Sequence, residues 1–539
     1  MVRSLACACA LLLATTAHAQ EIDVAAVDRI FEQFTRPNTP GCVLGIGQNG
    51  AVSYERGYGL ANLEYDVPLT ARSIVEIGSV SKQFTAASIL LLAQRGALTL
   101  DDDIRKWLPE VPDFGEKITI RMLVNHTSGL RDQWGLLGLM NSPPGSAVHT
   151  PELILDLVTR QRDLNFKPND QYLYSNTGYT LLGIIVKRAS DKSLAQFSRE
   201  NIFEPLGMKN TQWRDDFTRV VKGRATAYSR RAGEVYEQDM PFTNVYGNGG
   251  LLTTVGDLII WWDALHNNRL GNANFTQQLV TSGVLNSGHQ IAYAMGVSNG
   301  TYRGLRQVSH SGSTAGYRAY LTSFPASRTT VAVLCNNASA NPAVLAERVV
   351  DVVLARQLAP VAERGQVKAA ANVDVSRFAG LYRDPNTEEL VRVQLRDGKL
   401  FVGNTELIAT SGNTLYDTRR NAILTAIEQN GTLQMRVPGG DLPFALYTKV
   451  TEVKPDAAKL AEYAGTYISP ELGVTFQIVV QNDALVVKRR LQSDLTLLPT
   501  FADGFANAGS WVFTRDAAGK ITGFQYSQGR VRRVRFVKQ

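Results

Sequence analysis

Ser79-Val80-Ser81-Lys82 sets a hydroxyl and an amine one helical turn apart, the pairing a serine nucleophile needs if a neighbouring amine is to take its proton. An apolar helical pattern runs on through Phe84 and Ile89-Leu90-Leu91-Leu92, with Gly96 as its stop. Ser79 therefore falls at a helix N-terminus. There the positive end of the helix dipole favours alkoxide character, and the serine's own N–H faces a developing oxyanion. Ser-x-x-Lys alone has low specificity, since average usage yields roughly one or two in a chain of this size. Its company raises that specificity. Tyr174-Ser175-Asn176 follows. A tyrosine relays protons when a cation lowers its pKa, and Asn176 can hold Lys82 or a substrate amide. His310-Ser311-Gly312 lies in a strand-like run, where Gly312 would let a substrate backbone lie against the strand and the Ser313 N–H offers a second oxyanion donor. Tyr246-Gly247-Asn248 is a rival for the tyrosine, and spacing to Ser79 favours Tyr174.

Other chemistries lack their residues. The chain has 6 His, one of them close to the N-terminus. His126, His149, His266, His289 and His310 form no His-x-x-x-His pair and no Cys–His cluster, so neither a metal nor a cofactor is expected. Gly247-Asn248-Gly249-Gly250 is not followed by Gly-Lys-Ser/Thr, and Thr254-x-x-Asp257 reads as a capping box that makes this stretch a turn into a helix. Gly296-Val297-Ser298-Asn299-Gly300 matches a nucleophile elbow. That motif needs a helix after it, which Thr301-Tyr302-Arg303-Gly304 does not start, and His310 follows too soon for a Ser–acid–His order.

The elements that must position these groups are legible in outline. Val43–Gly47 and Ala51–Tyr54 read as strands joined through Asn49-Gly50, a pair suited to a hairpin turn. A helix-rich middle spans 79–266, and strand runs return near 306–313, 318–324 and 329–335. A helix then opens with Asn341 as N-cap and Pro342 at its first position, with Leu345, Val349 and Val353 on one face. Strands from both ends bracketing a helical middle imply an α/β (α+β sandwich) fold, with one antiparallel sheet flanked by helices and a helical subdomain. Residues 20–360 form this catalytic domain, and the polar stretch 361–374 is a linker. Beyond it Phe378-Ala379-Gly380-Leu381-Tyr382 with Pro385 recurs as Tyr463-Ala464-Gly465-Thr466-Tyr467 with Pro470. Asp397 and Asn482 share that offset. Residues 375–451 and 452–539 therefore read as two copies of a small antiparallel β-barrel or sandwich.

Composition agrees with such a chain. Its 539 residues allow about three domains, and 44% hydrophobic content excludes a disordered one. A net charge of +7 calls for no nucleic acid partner, and the basic excess in 452–539 reads as exposed strand faces. Arg3, the apolar run Leu5–Ala14 and Ala17-His18-Ala19 form a signal peptide over 1–19, with its cut between Ala19 and Gln20. That run is too short to span a membrane, so the expectation is a periplasmic or secreted protein without a membrane span. Cys42 and Cys335 remain, which excludes a disulfide-rich scaffold and leaves one bridge open.

The ordered set Ser79-x-x-Lys82, Tyr174-x-Asn176 and His310-x-Gly312 resembles the serine β-lactamase and penicillin-binding-protein superfamily. It is most similar to the branch of class C enzymes, D-aminopeptidases and related esterases. Arg56-Gly57-Tyr58-Gly59, Asn125-His126-Thr127-Ser128-Gly129-Leu130, Gly249-Gly250-Leu251-Leu252-Thr253-Thr254 and the text from His310 to Tyr317 extend the resemblance over about residues 24–358. His310 stands where typical β-lactamases carry Lys, which weakens the case for antibiotic hydrolysis; the D-aminopeptidase and esterase relatives carry His there. With two lipocalin-like barrels, the order resembles three-domain D-aminopeptidases. The resemblance implies Ser79, Lys82 and Tyr174 as catalytic residues and Asn176, His310, Gly312 and Ser313 as substrate-binding, with His126 structural. It implies an exported serine hydrolase working through an acyl-enzyme on peptides with D-residues, among them linear non-ribosomal peptides such as linearised microcystin. The alternatives are an esterase, or a penicillin-binding or cell-wall sensor with slow turnover; the intact catalytic set argues against the sensor. The partner is a small peptide or ester substrate, and a homodimer stays open. In the superfamily the first and last strands pair, making Cys42 and Cys335 near neighbours whose bonding depends on register. A loop of the last barrel enters the site in the D-aminopeptidase relatives. Pro499–Gly509 is the expected counterpart, with Phe501 and Phe505 as anchors and Asp503 for a substrate amine.

Overall fold

The structure is a computed structural model that describes residues 22–231, 235–361, 367–439, 444–489 and 493–539. The expected signal segment and part of the expected linker lie outside the described residues.

The catalytic unit is built on a six-stranded antiparallel sheet. Its strands are β1 Cys42–Gln48, β2 Ala51–Tyr58, β3 Ser298–Tyr302, β4 Leu305–Thr314, β5 Tyr317–Phe324 and β6 Thr329–Cys335, in the order β3-β4-β5-β6-β1-β2. The β1–β2 turn has φ of 51° at Asn49 and 85° at Gly50, the left-handed pair that Asn-Gly tolerates. Antiparallel pairing of β1 with β6 puts Cys42 directly opposite Cys335, and the two form a disulfide. The bond that the sequence left open is settled by this register.

Five helices matter for the site: α1 Lys82–Gln94, α2 Gln133–Leu139, α3 Asn176–Ser190, α4 Val255–His266 and α5 Pro342–Val353. Every residue of β1 and β6 is buried because helices cover both faces of the sheet. The two-residue period of a strand divides the side chains. Val43, Ala332 and Leu334 share a core with Val255 and Leu258 of α4, while Leu44, Val331 and Val333 pack with Leu345, Val349 and Val353 of α5. Asn341 caps α5 by accepting the Val344 N–H at 3.3 Å. At α4 the Thr254 hydroxyl accepts the Asp257 N–H. The Asp257 carboxylate instead serves the Asn210 N–H at 2.8 Å and the Thr211 hydroxyl at 2.7 Å, so only half of the expected capping box forms.

Each C-terminal repeat closes into an eight-stranded antiparallel barrel, with strands from Gly380 to Val450 and from Gly465 to Lys538. The repeated motif does the same work twice. Tyr382 donates its hydroxyl to the Phe378 carbonyl at 2.9 Å, and Tyr467 does so to Tyr463 at 2.7 Å. The first barrel has a core of its own. The second shares its core with the catalytic unit, taking in Leu136 and Leu137 of α2 with Ile154, Leu157 and Val245. Beside that core Arg131 and Glu471 form an ion pair at 2.5 Å with both side chains fully buried. Arg131 also donates to the carbonyls of Arg532 and Arg533. Among the described residues no helix is long and apolar enough to cross a membrane.

Candidate active site

Ser79 lies on a 3-10 turn, Gly78–Ser81, that leads into α1. Strand β4 presses against this turn. A Cβ on Gly312 would stand 1.9 Å from the Ile77 carbonyl oxygen, and one on Gly78 (φ 49°) would stand 2.6 Å from the Ser313 nitrogen. Gly312 is therefore required for the strand to reach the turn that carries Ser79. Its missing side chain faces protein, not a substrate backbone as expected from the sequence. The consequence is that the main chains of Ser79 and Ser313 run side by side, as two oxyanion donors must.

Lys82 is fully buried. Its Nζ lies 3.2 Å from Ser79 Oγ and donates to Asn176 Oδ1 at 3.0 Å and to the Asn248 carbonyl. Burial holds its pKa well below the usual lysine value; Asp132 opposes this and the Arg530 charge adds to it. A neutral amine has two N–H groups and one lone pair. In that form the two carbonyl oxygens can take the N–H groups and leave the lone pair toward Ser79 Oγ, whereas an ammonium would point its third N–H there. Asn176 is turned by Asp132, whose Oδ2 accepts both its N–H at 2.7 Å and its Nδ2 at 2.9 Å. Its Oδ1 must then face Lys82, so of the two roles open to Asn176 the geometry fills the first.

Tyr174 has Lys82 Nζ 4.7 Å and the Arg530 guanidinium 4.6 Å from its ring centroid, and its hydroxyl is buried with no hydrogen-bond partner. Burial pushes the phenol upward, while the neighbouring Ser79 hydroxyl and the Arg530 charge pull it down. His126 supports the ring from 4.2 Å, and its Nδ1 accepts the Ser175 N–H at 3.1 Å, a structural role. His310 is neutral. Burial lowers its pKa to about 4. Its Nδ1 faces the Ser311 carbonyl at 2.6 Å, which can only accept, so Nε2 must accept the Tyr293 hydroxyl at 3.0 Å. Both ring nitrogens are thus engaged within the protein, and His310 lines the cavity as a neutral ring.

These groups open onto one cavity of about 1230 Å³, lined among others by Ser79, Tyr174, Asn176, Asn248, Ser313 and Arg530. The rivals fall outside the relay. Tyr246 packs on Trp213, and Ser298 lies in β3, paired with Ser309, with no helix after it. Among the described residues no group of three or more His, Cys, Asp or Glu is placed to hold a metal ion.

Four contributors escaped the sequence reading. Asp132 carried no motif; it caps α2 through the Trp134 N–H, and its hold on Asn176 is a long-range contact. Asn248 sat in a loop read as a turn; its Oδ1 is buried, without a partner, beside the cavity. Tyr293 carried no motif. Arg530 comes from the wrong loop. In Pro499–Gly509, Asp503 is held by Arg515 at 2.8 Å and by the Tyr463 hydroxyl, and Phe501 receives Arg383 of the first barrel at 4.5 Å. None of that segment lines the cavity. The hairpin between strands Ile521–Gln528 and Val531–Lys538 does, through Arg530.

Comparison with known proteins bears on the family and the fold. Residues 27–355 match the family model described as Beta-lactamase. A penicillin-binding protein of Bacillus subtilis (strain 168) is 31% identical over 366 residues, covering 64% of this chain and 79% of its own. A D-aminopeptidase of Brucella anthropi is 26% identical over 510 residues, 90% of this chain and 92% of that one. Among solved structures, the octameric penicillin-binding protein homologue from Pyrococcus abyssi superposes with a TM-score of 0.57 at 23% identity, over 79% of this chain and all of its own.

Proposed function

The chain belongs to the Beta-lactamase family and is a serine hydrolase, and from that premise we propose that Ser79 is its nucleophile, acting through an acyl-enzyme. The observation that carries this reading is Lys82 Nζ, buried and 3.2 Å from Ser79 Oγ, with its N–H groups committed elsewhere. Ser79 Oγ attacks the substrate carbonyl while its proton passes to Lys82 Nζ. The oxyanion is met by the N–H groups of Ser79 and Ser313. The C–N bond breaks as the proton travels by way of Tyr174 to the leaving nitrogen. Water then attacks the acyl carbonyl and gives a proton to the same relay, which passes it to Ser79 Oγ as the ester C–O bond breaks. Asn176 holds Lys82 in place, while His310 and Gly312 shape the wall.

The substrates are amides and peptides with a D-residue at or beside the scissile bond, linear non-ribosomal peptides such as linearised microcystin among them. Similarity to D-aminopeptidases over nine-tenths of the chain supports this, as does the neutral His310 where an antibiotic-hydrolysing site would carry a cation. The protein is exported by the segment ending at Ala19 and acts in the periplasm or outside the cell. Kinetics on matched D- and L-aminoacyl amides, p-nitrophenyl esters and a chromogenic cephalosporin test the substrate class. D-Amides are expected to be turned over fastest; a preference for esters with no stereoselectivity would make the enzyme an esterase.

A further inference from the structure

The tip of the second barrel's terminal hairpin is latched to the catalytic unit through main-chain atoms. The Arg530 carbonyl accepts the Asp132 N–H at 3.2 Å and Asn165 Nδ2 at 2.9 Å, and the Arg532 N–H donates to Asn165 Oδ1 at 2.8 Å. Gly135 of α2 leaves room for Val531, whose Cγ2 would stand 2.5 Å from a Cβ there. These contacts fix where the Arg530 side chain begins. Its guanidinium then lies 4.6 Å from the Tyr174 ring centroid and 3.9 Å from Asp132 Oδ2, with the side chain 48% exposed at the cavity.

We propose that Arg530 is a positioning residue for the Ser79–Lys82–Tyr174 relay, so that the second barrel completes the catalytic centre. The inference rests on Ser79 as nucleophile and Lys82 as base. Arg530 touches that relay twice, once against the Tyr174 ring and once against Asp132, the residue that turns Asn176 toward Lys82. A fixed cation here acts on both proton carriers in one direction. It disfavours the Lys82 ammonium, keeping the amine free to accept a proton. It favours the Tyr174 phenolate, easing a proton through that oxygen, and the cation–π contact strengthens as the ring gains charge. Lys82 is faced by Asp132, Arg530, the rings of Tyr174 and Tyr179, and the His126 and His310 imidazoles, whose pKa values are depressed chiefly by burial. Tyr174 is faced by Lys82, Arg530, Asp132, His126, Tyr293 and His310. Asp132 and Arg530 are the opposed charges common to both.

The test follows Ser79 phosphonylation by an aryl phosphonate across pH 5 to 10 in the full chain, which reads nucleophile activation without knowledge of the substrate. It is paired with kcat and KM on D-aminoacyl amides. Arg530→Gln is expected to move both limbs of the profile to higher pH, losing about tenfold more rate at the acid end than at the alkaline end. Arg530→Lys, which keeps the charge, is expected to restore most of the acid limb. Profiles of Arg530→Gln and wild type that superimpose would overturn the role. So would a loss seen only as raised KM for substrates bearing a free carboxylate, since Arg530 would then be a substrate anchor. Labelling that persists in Ser79→Ala would instead overturn the nucleophile reading on which the role depends.

Discussion

In the proposed reaction Lys82 is the residue on which the chemistry turns, and its character comes from its surroundings. A lysine sealed from water loses the solvation that favours its ammonium, and the Asp132 carboxylate opposes that loss. Tyr174 is its complement, a phenol whose buried oxygen makes no well-formed hydrogen bond and has the Ser79 hydroxyl beside it. Tyr174→Phe is therefore expected to keep the fold and cut kcat by about 10² or more, while Tyr246→Phe changes it little. The reverse ranking would remove Tyr174 from the relay. His310 gives a second expectation. Its folded pKa is about 4 against an ordinary 6.5, so on acidification the unfolded chain takes up the proton first. The stability contributed by neutral His310 is complete above about pH 6.5 and drains away toward pH 4. Thermal unfolding from pH 7.5 to 4.5 is expected to show a steeper fall in Tm for the wild type than for His310→Asn; parallel curves would contradict the assignment.

At the scale of elements, much was readable because local rules decide it. Runs expected near 306–313, 318–324 and 329–335 are strands 305–314, 317–324 and 329–335. Asn49-Gly50 turns as its backbone freedom dictates, and Asn341-Pro342 opens α5. What stayed hidden was non-local. No rule of spacing says that Asp132 will reach Asn176, or that Asp503 will be claimed by Arg515 before any substrate amine. The bond between Cys42 and Cys335 depended on a register that only the assembled sheet fixes. Gly312 illustrates the difference between type and cause: the residue was singled out, but the pressure on it comes from Ile77. Gly312→Ala is expected to push β4 off the nucleophile turn, at about 1–3 kcal/mol of stability and at least tenfold in kcat. Denaturant unfolding with kinetics checks both. Full activity in that variant would mean that the strand need not approach so closely.

Across the whole molecule, two copies of one motif have come to different uses. Both barrels tie the tyrosine of their first strand back to the chain in the same way, yet among the described residues only the second merges its core with the catalytic unit. The repeat was legible in the sequence, whereas the asymmetry of docking was not, because it depends on Arg131, Leu136 and Leu137 far upstream. The Arg131–Glu471 pair lies one residue from Asp132, so the interface and the relay share a segment of chain. Glu471→Ala leaves a buried guanidinium without its counter-charge. It is expected to cost about 3–5 kcal/mol and to lower activity alongside, by loosening the Arg530 hairpin. An unchanged Tm would show that the barrel is held elsewhere.

The central claim, that hydrolysis passes through an ester on Ser79, is tested most directly by intact-protein mass spectrometry of the enzyme acid-quenched during turnover of a D-aminoacyl substrate. The account expects an added mass equal to the acyl group, mapped to the peptide containing Ser79 and absent in Ser79→Ala. Pre-steady-state release of leaving group, in an amount no greater than the enzyme, should accompany it. Steady turnover with an adduct on another residue, or undiminished turnover by Ser79→Ala, would contradict it.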